Sequence, residues 1–443
     1  MDIKTRFLHG TTYYHFANPA QEHARQFERM QQMGLNAVRV AEIWPGWEVL
    51  EPRPGVHDFD ELDAYVQGAQ AAGLGIIMGV GINNPPPWLF LEFPDARCVD
   101  TSGRMAMRRV QSANHDHPGC RAAIERFTET IASRYGAHSG LAAWQLGNEV
   151  RYGVERPDNP ATHGRFRQWL REQFRDDLDA LNRQWGTVYG NWEELYPYAS
   201  ASGAPTEGLS PLLLASTRFM QWSLEDLVRR CADIVRRHSA LPVFHNNHGI
   251  AGLDYSHWRM AEAGDWAVQD LYPTMGDRPQ DTMTLGLDLG SSVAASLGKP
   301  YVIGEIGIAQ YGTYRRNRPP VELCEAIVME LLAGGARGIL YFPHMAPKYE
   351  QPHKFTGSQA ALRRDGSPNE YARVITGASQ FVERFEERLL AAEPVEPRIA
   401  AYYGEESLGV AAGYADLQRA SMNGVSAMFG RNGLPLRWLD TER

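Results

Sequence analysis

Ala142-Ala143-Trp144-Gln145-Leu146-Gly147-Asn148-Glu149-Val150 and Pro300-Tyr301-Val302-Ile303-Gly304-Glu305-Ile306-Gly307 decide the fold class of this chain. Each is a short, nearly continuous apolar run ending in a glutamate. Runs of that kind belong to parallel strands buried on both faces, and a polar residue at the exit marks the C-terminal end of the strand. Six more runs share the pattern: Phe7 to Gly10, Ala37 to Ala41, Gly75 to Val80, Pro242 to Asn246, Trp266 to Asp270 and Gly338 to Phe342. Amphipathic stretches of helical period separate them. Eight such units predict a closed (β/α)8 TIM barrel, an α/β fold in which the strand ends form the site.

Punctuation supports the alternation. The helical pattern Ala20 to Met33 meets Gly34, and Pro118 to Tyr135 meets Gly136, where a left-handed C′ glycine is expected. Helical segments at 161 to 183 and 211 to 238 exceed what one crossover needs, which predicts an insertion after strand 4. The barrel domain is assigned to residues 1–390. Beyond the boundary at 391 to 397 (Ala391-Ala392-Glu393-Pro394-Val395-Glu396-Pro397), two strands, Arg398 to Tyr403 and Leu436 to Leu439, flank a helix at Ala415 to Phe429. One strand-helix-strand unit cannot cover both faces of a sheet. It therefore either packs on the barrel or begins a further α/β domain over 391–443.

Composition limits the function classes. A net charge of -9 argues against nucleic acid as a partner, and the absence of a long uninterrupted apolar run argues against a membrane. The first ten residues lack the apolar core of a signal peptide, so a soluble cytoplasmic protein is expected. Cys98, Cys120, Cys231 and Cys324 are widely spaced and fit reduced thiols. His115, His117 and Cys120 match no zinc spacing and read better as helix-capping groups before Pro118. Trp44, Trp47 and Trp88 are either core aromatics or sugar platforms. No cofactor and no metal are expected.

Two carboxylates at the mouth of one barrel suggest glycoside cleavage. That reaction needs a proton delivered to the leaving oxygen and negative charge beside the anomeric carbon, so one carboxyl starts protonated and the other ionised. Asn148 offers an amide for a sugar hydroxyl, and Arg39, at the end of the second strand, can hold a neighbouring carboxylate charged.

A longer set of residues resembles glycoside hydrolase family 42, the β-galactosidases of clan A. The resemblance runs from Asn36-Ala37-Val38-Arg39-Val40-Ala41-Glu42-Ile43-Trp44, through Leu50-Glu51-Pro52 and Gly55 to Asp63, to Pro86-Pro87-Trp88-Leu89. It continues with Trp144-Gln145, Asn148-Glu149, Asp270-Leu271-Tyr272-Pro273, Lys299-Pro300 to Glu305, Tyr341-Phe342, Glu350-Gln351-Pro352-His353 and Leu362 to Pro368. By that resemblance Glu149 is the acid/base and Glu305 the nucleophile of a retaining exo-β-glycosidase. Arg39, Arg109, Asn148, Tyr272, Glu350 and His353 would bind the terminal sugar, with Arg108 competing for the register of Arg109. β-Galactosides lead as substrates; β-glucosides, β-mannosides, α-L-arabinopyranosides and transglycosylation are alternatives, as is a barrel that binds sugar without cleaving it. The C-terminal segment resembles the start of the family's flavodoxin-like trimerisation domain, which implies a homo-oligomer. Departures lie around the pocket. The family's zinc cysteines have no counterparts, with Ser112 standing where one would fall. Gly147 and Val150 flank Asn148-Glu149 unusually, Pro343-His344-Met345 removes a sugar-stacking ring, and Tyr311 or Tyr314 would have to fill the place of a missing tryptophan.

Overall fold

In a computed structural model of the chain, the described residues are 2–42, 46–99, 103, 105, 113–152, 158–197, 210–248, 255–272, 279–307, 320–346, 360–405 and 415–440. Eight parallel strands close into a barrel in sequence order. They are β1 (Leu8–Thr12), β2 (Ala37–Val40), β3 (Gly75–Gly79), β4 (Leu141–Asn148), β5 (Val243–His248), β6 (Ala267–Asp270), β7 (Tyr301–Ile306) and β8 (Gly338–Tyr341). All eight runs picked out by pattern form strands, because both strand faces are covered and no polar alternation is required. The lumen is filled by Leu8, Ala37, Ile77, Ala143, Phe244, Trp266, Val268, Val302 and Leu340. A second, larger apolar layer lies between strands and helices. Burying this much aliphatic and aromatic surface, at roughly 25 cal/mol per Å², is the main term offsetting the entropy of ordering the chain.

The strand ends are irregular where the candidate site lies. Register slips between Gln145 and Asn148 on β4, between Gln269 and Asp270 on β6, and between Ile303 and Ile306 on β7. Such slips re-aim side chains at a barrel rim. As a result Asn148 stands opposite Asn246, and Asp270 stands opposite both His248 and Glu305.

Gly34 is left-handed, with φ of 78°, as a C′ glycine should be. Gly136 differs from expectation. It stays right-handed at φ -56°, and a Cβ there would stand 2.4 Å from the His238 carbonyl oxygen. Its glycine is set by close approach of a neighbouring helix end, not by handedness.

The insertion after β4 holds helices Pro160–Gln173, Leu178–Trp185 and Ser210–His238. The first two pack against the third over a core of their own, containing Phe166, Trp169, Leu181, Trp192 and Phe219. Arg165 ties the insertion to the barrel by bonding Asp116 at 2.7 Å, and joins two helices of the insertion by bonding Asp226 at 2.5 Å. After the helix Ala372–Ala391 come β9 (Ile399–Tyr402), a helix Ala415–Gly430 and β10 (Leu436–Leu439). β9 and β10 pair in parallel. This unit packs against the barrel helix Pro279–Leu297, where the Trp438 amide donates to Ser292 Oγ at 2.9 Å. Among the described residues no helix is long and apolar enough to cross a membrane.

Candidate active site

β2, β4, β6 and β7 bring their C-terminal ends together around one group of carboxyls. Oxygens of Glu149, Asp270 and Glu305 all lie within 4.8 Å of one another. Among the described residues this trio is also the one set of side chains whose ligating atoms converge enough to hold a cation. A guanidinium already occupies part of that role. Arg39, fully buried on β2, pairs with Glu305 Oε1, forms an ion pair with Glu42 at 2.9 Å, and donates to Gln145 Oε1 at 3.2 Å and the Gly304 carbonyl at 3.0 Å. Tyr272 donates to the other oxygen, Glu305 Oε2. Tyr14 donates to Glu42 at 2.6 Å, closing a chain of buried polar groups from β1 to β7.

Glu149 sits in a different environment. Its backbone is left-handed, with φ of 50°, an uncommon conformation for a residue with a side chain. Its amide donates to Asn246 Oδ1 at 3.2 Å, which aims the side chain across the barrel mouth. Burial pushes its carboxyl up to about 8, the negative charge of Glu305 adds to the rise, and Arg151 opposes it. His248 Nε2 lies 3.8 Å from Glu149 Oε2. That imidazole is held low, at about 4, by burial and by Arg151, so it is neutral near pH 7.

Amide side chains fix the spacing. Asn246 Nδ2 donates to Asn148 Oδ1 at 3.0 Å and to Asp270 Oδ2 at 2.6 Å. Gln145 Nε2 donates to Asn246 Oδ1 at 2.9 Å. An aromatic cluster of Tyr14, Phe342, Phe16 and Tyr272 reaches Glu305 through Tyr272, and Tyr14 stacks on Phe16 with ring centres 5.3 Å apart.

Of the residues expected from sequence, Glu149, Glu305, Arg39, Asn148 and Tyr272 therefore converge. Arg109, Glu350 and His353 lie outside the described residues, as do Arg108, Ser112, Trp44, Tyr311 and Tyr314. Trp47 is core: it is fully buried, stacks on Phe127 at 4.8 Å and donates to Glu51 at 2.8 Å. Trp88 joins it by donating to the Glu51 carbonyl. His117 Nδ1 accepts from the Cys120 amide at 3.3 Å, the capping role its position suggested. His344 is buried against Gln26, 3.1 Å away. Asp270, Asn246 and Gln145 complete the site without a role in the sequence-based expectation, and Glu42, which by sequence is either a buried network member or a ligand, is in the buried network of Arg39 and Tyr14. The signal for Asp270 and Asn246 is the strand register, which places Asp270 opposite Glu305 and Asn246 opposite Asn148.

Comparison with known proteins fits this geometry. The family model for glycoside hydrolase family 42, described as β-galactosidase, matches residues 12–378. A β-galactosidase of Geobacillus kaustophilus is 27% identical over 355 residues, covering 77% of this chain and 51% of that protein. One from a Thermus species is 30% identical over 274 residues, covering 60% of this chain and 41% of the relative. The chain thus spans about half the length of the curated relatives it matches. Among solved structures, a β-galactosidase from the Antarctic haloarchaeon Halorubrum lacusprofundi superposes with a TM-score of 0.85 at 24% identity, covering 98% of this chain and 67% of that one. A β-galactosidase from Bacillus circulans gives 0.86 at 19% identity, covering 99% and 66%. At these identities the superpositions establish the fold.

Proposed function

The chain belongs to glycoside hydrolase family 42, and from that premise we propose that it is a retaining exo-β-glycosidase with a preference for terminal β-galactosides. Glu149 is the acid/base and Glu305 the nucleophile. The observation that carries this is the spacing of their carboxyls, with oxygens within 4.8 Å. Retaining enzymes hold the pair about 5–5.5 Å apart, whereas inverting enzymes leave about 6.5–9.5 Å for a water.

In the first step a Glu305 oxygen bonds to the anomeric carbon as the bond to the leaving oxygen breaks. Glu149, neutral because burial lifts its carboxyl to about 8, gives its proton to that oxygen. In the second step Glu149 takes a proton from water, the hydroxide adds to the anomeric carbon, and Glu305 departs as a carboxylate. Arg39 and Tyr272, bonded to its two oxygens, orient it and balance its charge. Asn148 has its Oδ1 engaged by Asn246, so its Nδ2 is the group to donate to a sugar hydroxyl. The cluster of Tyr14, Phe16, Phe342 and Tyr272 supplies apolar surface for a sugar face. Arg109, Glu350 and His353 belong to the same proposal as hydroxyl ligands.

The same reading takes residues 391–443 as the start of a flavodoxin-like, trimerisation-type unit, in keeping with the parallel β9–β10 pair. It also takes the cytoplasm as the location, with all four cysteines buried and unbridged.

Two measurements test the activity. A panel of nitrophenyl glycosides ranks the terminal sugar, with the β-galactoside expected first. A 2-deoxy-2-fluoro sugar of the best substrate then traps the covalent intermediate, and peptide mass spectrometry is expected to find the label on Glu305. A label on another residue, or tight sugar binding with no turnover on any aglycone, would overturn the proposal.

A further inference from the structure

Asp270 is the third carboxyl of the site, and the two-step mechanism above gives it no task. It ends β6, is fully buried, and stands opposite Glu305 across the β6–β7 register slip. Gly304 makes room for it, since a Cβ there would lie 2.7 Å from Asp270 Oδ1. Its two oxygens face different surroundings. Oδ2 accepts from Asn246 Nδ2 at 2.6 Å. Oδ1 is buried, and no N–H or O–H of the described residues reaches it. The neighbour on that carboxyl is Glu149, with an oxygen within 4.8 Å. Carboxyls crowded this closely cannot all ionise, so a proton is held among them and can bridge Asp270 to Glu149.

Charge counting fixes where protons must be held. Four carboxyls meet here, Glu42, Glu149, Asp270 and Glu305, and one guanidinium, Arg39, is bonded into the group. Four adjacent anions, three of them buried, around one cation would be prohibitively costly. Arg39 binds Glu42 and Glu305 directly, which leaves Asp270 and Glu149 as the proton holders. The groups facing Asp270 agree. Burial first, then the charges of Glu305 on β7 and Glu149 just past β4, push its carboxyl well above the ordinary range, against Arg39 and the Asn246 amide, which pull it down. Tyr272 is itself held protonated by burial and the same carboxyls, and His248, opposite Asp270 on β5, is held neutral by burial.

We propose that Asp270 is a positioning residue for the acid/base: a carboxylic acid, neutral throughout turnover, that donates a hydrogen bond to Glu149 as negative charge develops on it. No proton leaves Asp270. The proton on Glu149 goes to the leaving oxygen, and the hydrogen bond from Asp270 steadies the carboxylate left behind until water reprotonates it. A neutral acid serving as a fixed donor in an apolar site is a known catalytic device. The inference rests on the assignment of Glu149 as acid/base.

The test compares Asp270→Asn with Asp270→Ala on two glycosides of the sugar turned over best, one with a phenyl leaving group and one with 2,4-dinitrophenyl. Phenol needs protonation to depart and dinitrophenol does not. An asparagine keeps both contacts, accepting from Asn246 and donating to Glu149. Asp270→Asn is therefore expected to hold kcat/KM within about tenfold on both substrates and to keep the alkaline limb of its pH profile. Asp270→Ala is expected to lose about 100-fold on the phenyl glycoside and less than about fivefold on the dinitrophenyl one, on the scale of a single charge-assisted hydrogen bond. Equal losses on both substrates for Asp270→Ala would mean a merely structural role and overturn the proposal. So would an Asp270→Asn variant as impaired as the alanine, because an amide cannot replace an ionised carboxylate. Glu149→Ala is the control. If it shows no leaving-group dependence, the acid/base assignment falls and this inference with it; if it does and Asp270→Ala does not, the inference alone falls.

Discussion

Arg39→Met tests whether the buried charges are organised as described. Arg39 is fully buried and pairs with two carboxyls, Glu42 and Glu305, while also bonding Gln145 and the Gly304 carbonyl. Methionine fills most of the volume but removes the charge and the hydrogen bonds. Deleting one partner of a buried ion pair costs about 3–5 kcal/mol, because the other charge is left uncompensated. With an unfolding entropy of about 2 cal/mol/K per residue over 443 residues, that corresponds to a Tm drop of roughly 3–6 °C near pH 7.5 if the barrel melts as one unit. The pH dependence is the sharper part. Burial already raises the Glu42 carboxyl and Arg39 is its strongest opposing influence, so the variant takes up protons at higher pH than the native protein does. Protonation neutralises the orphaned charge, and the Tm deficit should shrink by at least half near pH 5. Differential scanning fluorimetry at the two pH values reads both numbers. A deficit under about 1 °C, or one equally large near pH 5, would refute the account of Arg39 as the counter-charge of the site.

Three further outcomes are expected. The kcat/KM profile should fall about tenfold per unit above about pH 8, where Glu149 loses its proton; an alkaline limb below pH 6 would contradict the burial argument. Tyr272→Phe removes one hydrogen bond to Glu305 and should lower kcat about 10- to 100-fold with little change in KM, the scale of a bond to a charged group; an unchanged kcat would show that Tyr272 is a bystander. Glu149→Gln should melt higher than the native protein by a margin that grows with pH. The folded-state carboxyl titrates at about 8, above its ordinary value, so the native protein is most favoured below that ordinary range and loses this contribution as pH rises through the folded value. Glutamine has nothing to lose, and a margin that is flat from pH 5 to 9 would be inconsistent.

The barrel was legible because a strand covered on both faces leaves a simple trace: an apolar run, a polar stop, then a helix. Glu149, Glu305, Arg39, Asn148 and Tyr272 converge because each ends, or directly follows, such a run. Asp270 ends one too, yet nothing local distinguishes a carboxylate that meets two others from one that caps a helix. Only the slipped register of β6 on β7 brings it opposite Glu305. Asn246 depends likewise on the slip between β4 and β5. Gly136 shows the opposite failure, where a correctly placed glycine serves a steric contact with the His238 carbonyl and not a turn. His344 lies in a stretch where a family pattern changes, but its burial against Gln26 could be seen only once β1 and β8 were neighbours.

The left-handed backbone at Glu149 bears on how this protein would change under selection. Holding a side-chain-bearing residue there costs on the order of 1–3 kcal/mol, a penalty glycine escapes. On the proposed acid/base role of Glu149, a library scored only for surviving heat would therefore enrich inactive barrels with glycine at that position, and improving turnover requires selecting for it in every round.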